Sequence, residues 1–170
     1  MRTRARAGYT LLELIVVMAL IGIVFFFAIP RFEGSFLLDD ANTSARWLIG
    51  KLQALREDAL RSRRMQTLHV DLDTGRLWVT AEGMTPEQLE LAGRRAQFPA
   101  GGGRIVAVEF AGQARVGAGQ TGIRFFGDGH TDRVLIHLRS GNAVASFLLE
   151  PFLAQVKRFD TMVGFDNERL

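Results

Sequence analysis

One carboxylate, that of Glu13, interrupts an apolar run that extends from Tyr9 to Ile29. A lone ionisable side chain in such a run is costly to place in lipid, so as a rule it has a function and a partner. The chemistry open to it is ion pairing, because opposite charges attract strongly where the dielectric constant is low. Glu13 is therefore the first candidate functional residue, and the element that carries it must bring it to a cation.

The apolar run is long enough to cross a bilayer, since a membrane-spanning helix needs roughly 20 apolar residues. A secretory signal peptide fits poorly, because its apolar core is about 7–15 residues long and a small-residue cleavage site follows it. No such site follows Ile29. An ordinary signal anchor explains the basic leader as cytoplasmic positive charge, but it does not explain Glu13. The leader carries three arginines, Arg2, Arg4 and Arg6.

The helical pattern continues beyond the apolar run, to about residue 65. Apolar residues recur at spacings of three and four, which places them on one face. Such a stripe fits a coiled-coil partner or packing on the chain's own sheet; its alanines and short length favour the sheet. Pro30 lies inside the pattern, and because proline removes a backbone hydrogen bond and clashes one turn back, we expect a kink there. The stripe comprises Leu38, Ala41, Ala45, Leu48, Leu52, Leu55 and Ala59.

After Met65 the pattern changes to alternation of apolar and polar residues, which is typical of β-strands. The turn Asp73–Gly75 predicts a hairpin, and a short helix is expected at Pro86–Leu91. Residues 151–170 match no pattern. The fold class predicted is α+β, with a long N-terminal helix packed on an antiparallel β-sheet. Strands are expected at residues 68–72, 77–80, 105–110, 123–126, 134–138 and 143–149.

A glycine-rich segment, Gly117–Gly122, has the spacing of the dinucleotide-binding fingerprint. That fingerprint needs a strand before it and a helix after it, so that the pyrophosphate meets a helix N-terminus. A strand, Ile123–Phe126, is predicted after it instead. We interpret the segment as a flexible loop, and no cofactor is predicted.

Asp128, His130 and Asp132 fall in one predicted turn and carry side chains able to bind a metal ion. Calcium requires about six to eight oxygen ligands, and the turn offers no further carboxylate. A local turn capped by Asp128 is favoured, and no metal site is predicted. His69 and His137 alternate with core positions, and we place both facing solvent. No catalytic constellation is present in the sequence, so no enzyme activity is predicted.

The charge balance argues against a general nucleic-acid surface. The chain has 21 basic residues against 18 acidic ones, and removing the three leader arginines leaves 18 of each sign from Tyr9 onward. Nucleic-acid binding needs a concentrated basic face, and the basic clusters are Arg61–Arg64 and Lys157–Arg158. Cysteine is absent, so no disulfide or thiolate metal site is expected.

The junction from Gly8 to Glu13, which reads GYTLLE, resembles the leader junction of type IV pilins and type II secretion pseudopilins. The resemblance implies that a prepilin peptidase cuts between Gly8 and Tyr9 and that Tyr9 is then N-methylated. The family usually has Phe at this first mature position, so Tyr9 is a departure. It typically has a glutamate shortly after the junction and often a proline at the end of the apolar run, where Glu13 and Pro30 stand.

A second resemblance extends over residues 45–150. The arginine-rich helix end Arg61–Arg64, the segment 121–129 and the strand and turn of residues 134–142 resemble the H-type minor pseudopilin of type II secretion systems and related minor pilins. The resemblance implies a pilin-like fold in three parts. These are a leader at residues 1–8, a transmembrane and filament-core half-helix at 9–30, and a periplasmic pseudopilin domain at 31–170.

The same resemblance implies a non-enzymatic subunit that crosses the bacterial inner membrane once, with its C-terminal domain in the periplasm. The partners implied are the prepilin peptidase, the other pseudopilins of the filament and the inner-membrane assembly platform. Growth of that filament would drive protein export. Glu13 would assist assembly by pairing with the methylated amine of Tyr9 in a neighbouring subunit. Nucleic acid is not an expected partner.

Two alternatives remain open at this point. A minor type IV pilin that acts in pilus biogenesis or DNA uptake fits the same leader junction, and would need clustered Arg and Lys side chains to neutralise phosphates. An anchored periplasmic enzyme belongs to a different class and would need a convergent polar site in a deep pocket. Neighbouring genes for a secretin and a secretion ATPase, or for pilus retraction and competence, distinguish secretion from DNA uptake.

Overall fold

The computed structural model describes the backbone of residues 11–167 and the side chains of residues 11–23 and 41–166. Its contacts divide the chain into two compact units, residues 1–36 and 37–170. Helix α1 runs from Leu11 to Ser62, so it ends close to the predicted boundary. The predicted division at residues 1–8, 9–30 and 31–170 stays a prediction.

The remaining elements follow α1 in the order that the sequence pattern predicts. Each predicted strand is present, with its ends moved by at most a few residues, and the predicted short helix is present at Pro86–Arg94. A short strand at Lys157–Phe159 was not predicted. The elements are β1 (Gln66–Asp71), β2 (Leu77–Ala81), α2 (Pro86–Arg94), β3 (Arg104–Phe110), β4 (Gln120–Phe125), β5 (Val134–Ser140), β6 (Ala143–Leu149) and β7 (Lys157–Phe159), with single 3₁₀ turns at Ala100–Gly102 and Phe165–Asn167.

The strands form two antiparallel sheets rather than one. The first sheet has the order β2-β1-β4 and the second has the order β3-β5-β6-β7. The chain therefore changes sheet between β2 and β3, between β3 and β4, and again between β4 and β5. The predicted α+β class, with an N-terminal helix packed on antiparallel strands, is confirmed, and the division into two sheets is a tertiary feature that alternation along single strands does not encode.

The helical stripe packs against the chain's own sheets, as predicted. Ala45, Leu48, Leu52, Leu55 and Ala59 are each at most 5% exposed. They join one core with apolar side chains from both sheets. Because a fully buried Leu side chain stabilises a fold by about 1.5–3 kcal/mol, this stripe is a main contribution to the free energy of folding. It is occupied within the domain, so a coiled-coil partner is not needed to cover it.

The turn between β1 and β2 explains the hairpin predicted there. The Asp71 carboxylate accepts hydrogen bonds from the backbone N–H groups of Asp73 and Thr74, at 3.0 and 2.9 Å. Gly75 follows with a φ of 76°, a conformation that glycine adopts at little cost. Such turns usually have an Asp side chain that accepts hydrogen bonds from nearby backbone N–H groups, and a glycine at positive φ. The hairpin aligns Val70 with Leu77.

Helix α2 begins at Pro86, as predicted, and capping residues stabilise its start. Thr85 and Gln88 form a capping box, in which each side chain accepts a hydrogen bond from the other residue's backbone N–H, and Pro86 stands at the first helical position. These local bonds stabilise the helix start without tertiary contacts. None of the residues of α2 is buried, so the helix covers the edge strand β2 only loosely.

The segment after β4 makes a close approach to the end of α1. An added Cβ at Gly127 would lie 2.6 Å from the carbonyl carbon of Arg63 and 2.9 Å from the backbone nitrogen of Arg64. Arg63 itself has a φ of 51° and leads the chain out of α1. The 127–129 turn reverses the chain locally, because Phe126 N–H donates to the carbonyl of His130 at 2.9 Å. The strand that follows belongs to the other sheet, so β4 and β5 do not pair with each other.

Replacing Gly127 with alanine should therefore destabilise the domain, because backbone atoms rather than a flexible side chain meet the new methyl group. We expect the Gly127→Ala variant to lose about 1–3 kcal/mol of unfolding free energy, the range for forced overpacking. The matched control is Gly117→Ala, since no atom lies within 4 Å of its added Cβ. Denaturant unfolding of both variants measures the difference; equal midpoints would contradict the close approach.

Candidate anchoring and assembly segment

The first described stretch of α1 presents an apolar surface that carries Glu13. Every described side chain from residue 11 to residue 23 is exposed, and the large apolar ones are 42–79% exposed. Glu13 lies in the first turn of α1, and the spacing of a helix places Val16, Val17 and Leu20 on its face. Exposed apolar surfaces of this extent mark sites of protein or membrane interaction. The arrangement can therefore offer one carboxylate to a cation within an apolar contact.

The other predicted residues of this segment lie at the margins of the described chain. Gly8 and Tyr9, the predicted cleavage and methylation site, lie outside the described residues. Pro30 lies within α1, but its side chain is outside the described part and the predicted kink stays a prediction. Among the described residues, none of the helices offers an apolar stretch of sufficient length to cross a membrane. The predicted span at 9–30 extends beyond those residues.

The carboxylates of the 128–132 turn are bound to neighbouring side chains. Asp132 forms a two-pronged ion pair with Arg124, with nitrogen–oxygen distances of 3.1 and 2.9 Å, and also accepts a backbone bond from Arg124. Asp128 accepts from the backbone and ring nitrogens of His130, and the backbone bond lowers the pKa of Asp128. The described residues contain no group of three metal-ligating side chains. The geometry here is that of a capped turn.

The glycine-rich segment leads into a strand, as predicted. Gly119 has a φ of 74° and its N–H donates to the Asp73 carboxylate at 3.1 Å. Strand β4 begins at the next residue, Gln120, so the second half of the segment is strand and the interpretation as a loop holds only for Gly117–Gly119. Without a helix N-terminus behind it, this segment lacks the anion-binding geometry of a dinucleotide site.

A buried polar cluster forms where the sequence predicted a solvent-facing histidine. His137 is fully buried on β5, so that prediction is wrong; His69, by contrast, is half-buried. The Nδ1 atom of His137 lies 2.9 Å from the hydroxyl of Ser146. Ser146 donates to the carbonyl of Thr161 at 2.7 Å and accepts from the N–H of Val163 at 3.1 Å. Because the single hydroxyl proton is used on Thr161, His137 must donate from Nδ1, and its Nε2 is then an acceptor.

The Nε2 atom of His137 faces another hydrogen-bond acceptor, the carboxylate of Glu109. It lies 4.0 Å from an oxygen of Glu109 and has no hydrogen-bond partner among the described residues. Glu109 is bound by Arg115 at 2.9 Å and by the N–H of Phe165 at 3.0 Å. Burial and the charge of Arg115 lower the pKa of His137 to about 4, against the opposing effect of Glu109.

This cluster contains a serine, a histidine and a glutamate, yet it cannot act as a nucleophilic triad. The histidine donates to the serine instead of accepting its proton, which is the reverse of the activation that such chemistry requires. Ser146 is also fully buried, so no substrate reaches its hydroxyl. Its contacts with Thr161 and Val163 instead bind the C-terminal segment to the sheet. The alternation of apolar and polar residues along β5 gave no signal for this buried cluster, because β5 is covered on both faces.

The buried histidine predicts a specific pH dependence of stability. The unfolded chain binds a proton at His137 near pH 6.5, whereas the folded chain does so near pH 4. The unfolded state therefore gains protons first, and stability falls as pH falls from about 6.5 towards 4, by about 3 kcal/mol for this residue. The variant His137→Gln has no histidine to protonate at this position, so its unfolding free energy should fall less between pH 7 and pH 4.5. Chemical unfolding of both proteins at pH 7 and pH 4.5 measures it, and parallel pH profiles would contradict it.

Comparison with known proteins bears on the N-terminal segment. Residues 3–29 match the prokaryotic N-terminal methylation motif. The match includes the predicted junction at Gly8 and Tyr9 and the carboxylate of Glu13. No curated protein and no solved structure matches the chain. The motif is the prepilin signal of type IV pilin-like proteins, which are structural subunits rather than enzymes. The chain thus carries the prepilin signal of type IV pilin-like proteins ahead of an α+β domain in which a long helix packs on antiparallel sheets.

Proposed function

We propose that this protein is an H-type minor pseudopilin of a type II secretion system. It is anchored in the bacterial inner membrane, presents its domain to the periplasm, and joins a short filament whose growth drives protein export. The observation that carries the proposal is the methylation motif at residues 3–29, together with a carboxylate on an otherwise apolar and exposed helix.

The chemistry of assembly follows from the charges at the mature N-terminus. Cleavage after Gly8 frees the amine of Tyr9, and methylation leaves that amine positively charged. In an apolar surrounding, the amine and the Glu13 carboxylate are each costly alone, and each stabilises the other when paired. When the amine of one subunit meets Glu13 of the next, the ion pair sets the axial position of one helix against the other.

The apolar surface around Glu13 changes its surroundings on assembly with little change in free energy. In the membrane, lipid covers this surface; in a filament, the helices of neighbouring subunits cover it. Because lipid chains and apolar side chains solvate such a helix similarly, the exchange is close to neutral in apolar transfer energy. The ion pair then favours the filament over the separate subunits. The prepilin peptidase and the inner-membrane assembly platform are the partners proposed for processing and extraction.

The charges of the described domain favour secretion over DNA uptake. Arg61 pairs with Asp58 at 3.2 Å, and Arg158 pairs with Asp160 at 2.8 Å. One arginine in each of the two basic clusters that DNA binding would use is thus paired, whereas Arg64 of the first cluster has no ion pair among the described residues. A paired arginine is less available to neutralise a phosphate, and phosphate neutralisation supplies most non-specific DNA affinity.

The first test concerns processing. The mature protein should begin at Tyr9 with a methylated amine, which intact-mass analysis and N-terminal sequencing measure. Replacing Gly8 with a bulky residue such as leucine should block cleavage while membrane insertion continues, because the apolar run is unchanged. A mature chain that still begins at Met1, or one cut after Ile29, would contradict the proposal.

The second test concerns Glu13. The variants Glu13→Leu and Glu13→Gln should be cleaved and inserted normally, since the residue lies beyond the scissile bond. Their assembly should fail, because the incoming amine would be buried without a counter-charge, at a cost of about 3–5 kcal/mol. The matched control is Glu57→Gln, an exposed carboxylate on the same helix. Crosslinking to partner pseudopilins and a secretion assay measure the outcome; normal assembly of the Glu13 variants would remove the charge-pairing mechanism.

A gene deletion separates the two candidate systems. Loss of exoprotein export, restored by the wild-type gene and not by the Glu13→Leu gene, supports the pseudopilin assignment. Loss of natural transformation with normal export would instead identify a minor type IV pilin.

A further inference from the structure

A cavity of about 490 Å³ lies between α1, the edge strand β2 and α2. Its volume falls in the range of ligand sites, roughly 300–1,000 Å³. Gln88, Leu91 and Ala92 of α2 and the C-cap residue Arg95 line the cavity, and their spacing places them on one face. Since no residue of α2 is buried, this face is not packed against the domain. The helix therefore stands over the cavity without filling it.

Both tryptophans of the chain line the cavity, Trp47 on α1 and Trp78 on β2. Both side chains are half-buried. Neither indole N–H has a hydrogen-bond acceptor among the described residues, although Trp78 stacks on His69 with ring centroids 5.1 Å apart. Half-buried indoles with unused donors are typical of surfaces that receive a partner side chain.

The edge of β2 offers one unpaired backbone position at this cavity. Leu77 exchanges two backbone hydrogen bonds with Gln97, at 2.8 and 2.7 Å, so its N–H and C=O point away from β1. Ala81 points the same way and accepts a bond from Met84 at 3.3 Å. Because backbone direction alternates along a strand, Val79 also directs its N–H and C=O outward. No described residue bonds to them, and Val79 lines the cavity.

The charges around the cavity are mainly positive. Lys51, Arg64 and Arg95 line it, and none of them has an ion pair or side-chain hydrogen bond among the described residues. Glu82 is the acidic lining residue, and it accepts a bond from the backbone N–H of Met65 at 3.3 Å. Three unpaired cations against one carboxylate favour an anionic partner.

We infer that this cavity binds a short peptide segment of a partner protein, in which an apolar residue stands between acidic residues. The central residue pairs with the backbone of Val79, as in strand addition to a sheet edge. Its side chain enters the cavity beside Trp47, and the flanking carboxylates meet Lys51, Arg64 and Arg95. Gln97 and Met84 close the edge on both sides, so only the central residue pairs with β2 and the peptide turns away from the strand on either side of it. The inference does not rest on the proposed secretion function.

The test uses the full-length protein in nonionic detergent and its own fluorescence, because both tryptophans line the cavity. The probe is the peptide acetyl-Gly-Glu-Leu-Glu-Gly-amide, titrated to millimolar concentration. It should change the tryptophan emission and saturate. Methylating the leucine nitrogen removes the bond to the Val79 carbonyl and should weaken binding by about five- to tenfold. The basic peptide acetyl-Gly-Lys-Leu-Lys-Gly-amide should bind at least about tenfold more weakly.

Matched variants locate the binding. Ala92→Phe fills the cavity from the solvent-facing helix and should abolish the signal, with an unchanged circular dichroism spectrum. Arg95→Gln should weaken binding about two- to fivefold, the effect of one exposed charge. Its neighbour Arg94, which pairs with Glu90 at 2.6 Å outside the cavity, is the control, and Arg94→Gln should bind as the wild type does.

Three results would overturn the inference. The first is the absence of any saturable change in emission with the acidic peptide. The second is wild-type binding by Ala92→Phe, or equal affinity for the acidic and basic peptides. The third is the same emission change on adding phosphatidylglycerol to the micelles, with loss of peptide binding, which would assign the cavity to an anionic lipid.

Discussion

Burial of the α1 stripe holds this domain together. Leu48 and Leu52 are at most 1% exposed, and their neighbours on the same face contact apolar side chains of both sheets. Two sheets that do not share a strand ladder are thereby joined through one helix face. Because close-packed side chains tolerate little movement, the position of α1 determines where each sheet lies. The close approach of Gly127 to Arg63 belongs to the same constraint, since it sets the end of the helix against the turn after β4.

The sequence of α1 serves two environments. Its described residues 11–23 expose apolar side chains, whereas its residues from Ala45 to Ala59 bury theirs in the domain. The first set carries the carboxylate of Glu13 and the second carries none in its stripe. A helix whose first part is apolar on all sides and whose second part is apolar on one side can anchor a folded domain that needs no partner to cover its own core. This division agrees with a subunit that exchanges lipid for neighbouring helices.

Polar groups help to bind the C-terminal segment to the second sheet. Strand β7 has three residues and pairs with β6 through Phe159 and Ser146. Ser146 then holds Thr161 and Val163, and Glu109 holds Phe165. Such bonds are worth about 0.5–1.5 kcal/mol each when satisfied. The one atom left without a partner in this cluster is Nε2 of His137, among the described residues, and it makes the cluster sensitive to protonation.

The sequence by itself determined those elements and signals that depend only on residues close together in the chain. The methylation motif at residues 3–29, the stripe of α1, the start of α2 at Pro86 and the turn at Gly75 are local patterns, and spacing or φ preference is enough to predict the element or signal. Tertiary structure alone decided which strands pair, because pairing joins residues far apart and alternation does not specify a partner. It likewise buried His137, since a strand covered on both faces has no polar side for a histidine to occupy.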